Sequence, residues 1–191
     1  MKLLKTLLAT AIVTSTIPAM AYEAGDIVVK AGIINVNPKS DSGIDGVTVK
    51  DDTQLGLTVT YMATPKIGVE VLAATPFKHT VEAGGERIGT VKHLPPTISA
   101  LYFPLSGESK LQPYLGLGVN HTFFFDEEGA VAHLGKSTGL AMTLGANYDL
   151  GDNMLASIAA WKVDIDAELN DSGTDVEIDP IAIMVSCGYK F

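Results

Sequence analysis

The stretch Ile181-Ala182-Ile183-Met184-Val185-Ser186-Cys187-Gly188-Tyr189-Lys190-Phe191 governs how the rest of the chain is read. Extended, it places Ile181, Ile183, Val185, Cys187, Tyr189 and Phe191 on one face. Ser186, Gly188 and Lys190 fall on the other, below a mixed start at Ala182 and Met184. Side chains of a strand alternate with a period of two, so the two faces meet different media. An apolar face ending in aromatics is the pattern of a strand between lipid and the interior of a closed barrel. A terminal Phe is the usual end of bacterial outer-membrane barrels, which makes Phe191 the expected contact for the barrel-assembly machinery. Taken alone, the same alternation also suits an edge strand of a soluble sandwich.

The N-terminus narrows the choice. Lys2 and Lys5 are followed by an apolar run from Leu7 to Val13, broken only by Thr10, and by Ala19-Met20-Ala21 as a small-x-small cleavage site. This predicts a secretory signal peptide over residues 1–21 and a barrel domain over residues 22–191. A membrane-anchoring helix is the competing reading. Thr14, Ser15, Thr16 and Pro18 cut its run well below the roughly 20 apolar residues a span needs. No run of that length follows, although mean hydropathy is +0.26. A closed barrel accommodates such an exported chain by spreading its apolar residues over alternate positions.

Composition narrows the functional classes. Without residues 1–21, 11 basic residues stand against 22 acidic ones, a net charge of −11. No basic patch with interleaved aromatics is present, so no nucleic-acid partner is expected. The lone Cys187 excludes an intramolecular disulfide and reads as an outward apolar filler. His79, His93, His121 and His133 lack helical i, i+4 spacing, and no zinc site is expected. The acids Asp41, Asp45, Asp51, Asp52, Glu82, Glu86, Asp126, Glu127, Glu128, Glu168, Asp171 and Asp175 follow no calcium-loop spacing. They read as a charged surface facing lipopolysaccharide, where divalent cations could bind. No cofactor is implied.

Eight alternating segments cover about 26–36, 53–63, 67–75, 96–103, 112–123, 138–150, 154–167 and 176–191. In the second, Leu55, Leu57, Val59 and Tyr61 oppose Gln54, Gly56, Thr58 and Thr60. Short turns fall at 64–66, 104–109 and 151–153, and longer polar loops at about 37–52, 76–95, 124–137 and 168–175. The expectation is an all-β fold: an eight-stranded antiparallel transmembrane β-barrel with short periplasmic turns and longer extracellular loops. Tyr61, Tyr102, Tyr148, Tyr189 and Phe191 would form an aromatic girdle at the short-turn end, and Phe77 with Phe123 to Phe125 another at the long-loop end.

Longer strings carry a resemblance. TQLGLTVTYMAT (53–64), IGVEVLAATPF (67–77), VKHLPPTISA (91–100), PYLGLGVN (113–120) and W-x-x-D-I-D at Trp161–Asp166 together resemble the outer-membrane protein W (OmpW) family. The match runs in register from Tyr22 to Phe191, and divergence concentrates in the first three long loops. The resemblance implies a narrow, apolar interior linked to uptake of small hydrophobic molecules across the outer membrane of a Gram-negative bacterium. Small amino acids have also been proposed as solutes for some members. It further implies that Leu72 and Trp161 point inward as an apolar constriction. They would act either as a gate that blocks ions by withholding water or as simple fillers of a small barrel.

An eight-stranded barrel is only wide enough for side chains or one small ligand, which argues against a water-filled general porin. The seventh strand is apolar on both faces: Leu155, Ala159, Trp161, Val163 and Ile165 on one, Ala156, Ile158 and Ala160 on the other. An apolar lumen follows if one of these faces lipid. Pro76, Pro95 and Pro96 remove ladder donors near the long-loop end. They mark a candidate lateral opening into the outer leaflet, or merely the ends of strands. An enzyme is not expected, because Ser42, Ser99, Ser137 and the histidines form no nucleophile–base signature. The alternative to transport is a structural or surface-interaction barrel whose loops bind partners.

Overall fold

The computed structural model of the chain describes residues 22–38, 46–105, 109–130, 133–168 and 175–191. The expected signal segment and the loop acids Asp41, Asp45 and Asp171 lie outside these residues. In chain order the strands are β1 (Ile27–Asn37), β2 (Val47–Val49), β3 (Asp52–Thr64), β4 (Ile67–Ala74), β5 (Phe77–Ala83), β6 (Glu86–Leu94) and β7 (Thr97–Tyr102). They continue as β8 (Leu111–Gly129), β9 (Ser137–Gly151), β10 (Met154–Val163), β11 (Asp166–Glu168), β12 (Asp175–Glu177) and β13 (Ile181–Lys190).

Eight of these strands close on themselves. β1 pairs with β3, β3 with β4, β4 with β7, β7 with β8, β8 with β9, β9 with β10, β10 with β13, and β13 returns to β1, all antiparallel. The last strand therefore pairs with the first, Val29 opposite Tyr189 and Ile33 opposite Val185. Closure leaves no unpaired edge, the condition for crossing hydrocarbon with strands.

The alternation sorts as the sequence predicts. Leu55, Leu57, Val59 and Tyr61 are exposed on the outer wall, as are Ile183, Val185, Cys187 and Tyr189. Tyr61, Tyr102, Tyr148, Tyr189 and Phe191 all point outward at the short-turn end, where an aromatic ring is suited to the membrane interface. Tight turns fit their residues: Asp152 and Asn153 take φ of 52° and 62° between β9 and β10. Both central positions of such a two-residue hairpin turn need positive φ, which Asn and Asp tolerate.

Two expectations are corrected. The polar stretch 76–95 is no loop: β5 and β6 form a paired hairpin that carries the barrel wall beyond the membrane, turning at Gly84 and Gly85 with φ of 60° and 86°. β2 extends this wall by pairing with β5, and the far end of β8 by pairing with β6. The outer face of the hairpin carries Lys78 and Lys92, ion-paired with Glu128 at 3.7 Å and Asp126 at 3.0 Å. Strands outside lipid carry charge where embedded strands carry Leu or Val, which hides them from a search for apolar alternation.

The second correction concerns Phe77, which is fully buried inside the barrel, and Phe124, which packs against the core on the inner face beside His93; neither belongs to a girdle. Inward positions are even-numbered along β4 (Glu70, Leu72) and odd-numbered along β5 (Phe77, His79, Val81). One residue is gained at Thr75-Pro76, and a slip of one reverses every side chain beyond it.

Candidate solute path

The interior changes character along its length. At the periplasmic end the chain before β1 folds back over the opening, with Gly25 N–H donating to the Met62 carbonyl at 2.8 Å. Tyr22 is thereby buried, and its hydroxyl accepts a 2.7 Å bond from Asn147 Nδ2. Its ring lies 4.9 Å from Phe103, which lies 5.2 Å from Tyr114. Together these rings close the lower end.

Above them sits a buried ion pair. Lys30 Nζ meets Glu70 Oε2 at 2.9 Å and donates to the Tyr114 hydroxyl at 3.2 Å, while Thr60 Oγ1 donates to Glu70 Oε2 at 3.0 Å. Thr58, Ser99, Thr143, Asn147, Ser157 and Ser186 are buried polar side chains facing the same interior. The expected apolar lumen therefore holds only in part, because the middle of the barrel is charged and polar. Lys30 and Glu70 each sit alone among apolar neighbours in sequence. Only closure shows that they share a space, where an unpaired charge would be costly.

Above the ion pair the interior is lined mainly by apolar side chains around one cavity. Leu72 and Trp161, singled out from the sequence, are both buried and line one enclosed cavity with Ile34, Val36, Val163 and Ala182. Its free volume is about 20 Å³, room for about one water.

The three prolines lie beside that cavity, and Pro95 lines it. The β4–β7 ladder stops at Leu72 opposite Thr97, and the β5–β6 ladder starts at Phe77 opposite His93. Residues 73–76 and 94–96 therefore face each other without ladder pairing. Asn120 covers the break from β8: its Nδ2 donates to the Pro95 and Pro96 carbonyls at 3.0 and 3.2 Å and to Thr97 Oγ1 at 2.9 Å. Three acceptors share one side-chain amide there, and the Pro96 carbonyl also accepts from the His121 backbone N–H at 3.0 Å.

Sequence reading also missed a histidine pair above the cavity. His79 and His93 are both buried, with their Nε2 atoms 2.8 Å apart, and His79 Nδ1 is 2.7 Å from the Lys50 carbonyl. Phe77 and Phe124 flank His93, with ring centroids at 5.2 and 5.9 Å. Burial, chiefly, holds His79 below its usual value and brings His93 down to about 3. The signal for this pair was the hairpin: with its turn at Gly84-Gly85, His93 falls opposite Phe77 and His79 opposite Val91, so the two histidines are diagonal neighbours on the inner face.

A closed, lipid-facing eight-stranded barrel with a narrow plugged interior defines a small integral protein of the bacterial outer membrane. The OmpW family model matches residues 23–191, and the chain belongs to that family. Outer membrane protein W of Escherichia coli K12 is 40% identical over 195 residues, covering 91% of this chain and 92% of that protein. Its counterpart in Vibrio cholerae is 38% identical, covering 93% and 94% respectively. Among solved structures, the Pseudomonas aeruginosa outer membrane protein OprG superposes with a TM-score of 0.78 at 40% identity, over 90% of this chain and 98% of that one.

Proposed function

We propose that this barrel passes small, mainly hydrophobic molecules across the lipopolysaccharide leaflet and releases them sideways into the membrane. One observation carries the reading: an apolar cavity at Leu72 and Trp161 stands directly over a charged and ring-filled floor. An apolar solute gains from the upper half by leaving water, about 25 cal/mol for each Å² buried. It gains nothing from displacing the Lys30–Glu70 pair. The low-cost way out is the proline seam beside the cavity, where the wall lacks ladder pairing. Ions are refused twice, by a constriction too small to hold a hydration shell and by the filled floor.

Vesicles whose outer leaflet is lipopolysaccharide test this reading. The wild-type chain should speed uptake of an apolar dye, and the dye should collect in the membrane and stay out of the vesicle lumen. Leu72→Asp should abolish the effect, whereas replacing the extracellular loop tips should leave it intact. No acceleration by wild type, or normal uptake by Leu72→Asp, would instead favour a structural or surface-binding role.

A further inference from the structure

Two polar atoms at the constriction have no hydrogen-bond partner among the described residues: Nε1 of Trp161 and Nδ1 of His93. Both side chains line the cavity that also holds Leu72, and both are almost wholly buried, at 1% and 3% exposure. Buried polar groups are nearly always satisfied, so two orphans around one small space call for an occupant.

The chemistry of each orphan is fixed by its surroundings. An indole Nε1–H only donates. For His93 the answer comes through His79. The Lys50 carbonyl oxygen can only accept, so the hydrogen of the 2.7 Å contact sits on His79 Nδ1. Neutral His79 then offers a lone pair at Nε2, and the 2.8 Å contact is supplied by a hydrogen on His93 Nε2. That leaves Nδ1 of neutral His93 as an acceptor. Burial, chiefly, keeps both imidazoles below their usual pKa, consistent with two neutral rings.

Resting on the passage reading above, we infer that Trp161 and His93 form a polar subsite for the hydroxyl head of an otherwise apolar solute. A hydroxyl accepts from the indole N–H and donates to His93 Nδ1. A hydrocarbon leaves both atoms unsatisfied, an ether oxygen satisfies only the indole, and a carboxylate turns a negative oxygen toward a lone pair. In the absence of solute, one water fits the roughly 20 Å³ available and has the same donor–acceptor character. A primary alcohol reproduces that water's bonds as it displaces it; an alkane does not. His79 is a positioning residue, holding the tautomer that makes His93 an acceptor.

Octan-1-ol, its isomer heptyl methyl ether, and octane are the probes, with the full barrel in lipopolysaccharide-coated vesicles. The alcohol should be taken up faster than the alkane by about tenfold, as expected for buried hydrogen bonds gained or lost, with the ether between them. Trp161 is the chain's one tryptophan, so its emission reports the subsite directly. With octan-1-ol it should stay near its resting position, because the hydroxyl keeps the bond that the water made, and with octane it should move to the blue. His93→Phe should bring the alcohol-to-alkane ratio close to one, and His93→Gln, which restores an acceptor, should recover part of it. Nitrogen-15 spectra of the wild-type protein give a test independent of any variant: His93 Nδ1 should carry no proton. A protonated Nδ1, or equal uptake of alcohol and alkane, overturns the hydroxyl subsite and leaves passage standing. No uptake of any probe overturns both.

Discussion

Lys30 Nζ and Glu70 Oε2 stand 2.9 Å apart inside the barrel, on strands β1 and β4 that do not pair with each other, and neither side chain reaches solvent. Removing one partner of a buried pair strands the other charge, at a cost of about 3–5 kcal/mol. Lys30→Met should therefore lower stability by that order in urea unfolding of the detergent-solubilised barrel. Lys30→Met combined with Glu70→Met should recover most of the loss. A double variant as unstable as the single one would show that the pair's geometry, and not its charge balance, holds the floor.

Leu72→Ala separates a gate from a filler. Truncating a buried Leu costs about 2–5 kcal/mol through lost contacts and the cavity left behind. If Leu72 restricts the path, the variant should be less stable and yet admit apolar dyes faster than wild type. If Leu72 only fills space, stability should fall with no gain in uptake. Paired thermal unfolding and vesicle uptake measurements decide between these.

Gly145 faces the interior from β9, where an added β-carbon would fall on the Tyr114 ring. That ring hydroxyl accepts from Lys30 Nζ. Gly145→Ala should displace Tyr114 and cost about 1–3 kcal/mol by overpacking. Chemical denaturation gives the loss, and the aromatic resonances of Tyr114 report the displacement. A variant of wild-type stability would mean the floor has more slack than its ring packing indicates.

Acid should loosen the β5–β6 hairpin. Burial, chiefly, depresses the pKa of His93 from its ordinary 6.5 to about 3, and that of His79 falls in the same direction against the opposing pull of Asp51 and Asp52. Below pH 6.5 the unfolded histidines take up protons that the folded ones refuse, so stability present above pH 6.5 is lost progressively toward pH 3. Hydrogen exchange of the hairpin amides should accelerate as pH falls from 6.5 toward about 4, inside that window. His93→Phe should blunt the acceleration. Exchange insensitive to pH after correction for its intrinsic rate would rule the effect out.

Much of this architecture was legible because lipid imposes a simple rule. Alternate residues from Leu55 to Tyr61 and from Ile181 to Tyr189 had to be apolar, and their parity assigns the outward face without reference to any other strand. The inward positions of Leu72 and Trp161 followed from the family resemblance and agree with that parity. Phe77 did not follow, since the extra residue at Pro76 reverses the alternation, and no rule of period two places such a slip in advance. The β5–β6 hairpin was also read as a loop, because its outward residues answer to water.

Sequence alone determined which side of each membrane strand meets hydrocarbon, since that depends on the parity of neighbours along one strand, and the export signal and family resemblance turned that alternation into the expectation of a closed barrel. Only the tertiary structure decided what the barrel contains. Lys30 meets Tyr114 across 84 residues of sequence, and His79 meets His93 across 14. Such meetings depend on how eight strands are registered around the cylinder. A charged floor, a small cavity lined mainly by apolar groups and a histidine pair arise where side chains from distant strands are forced into one narrow space.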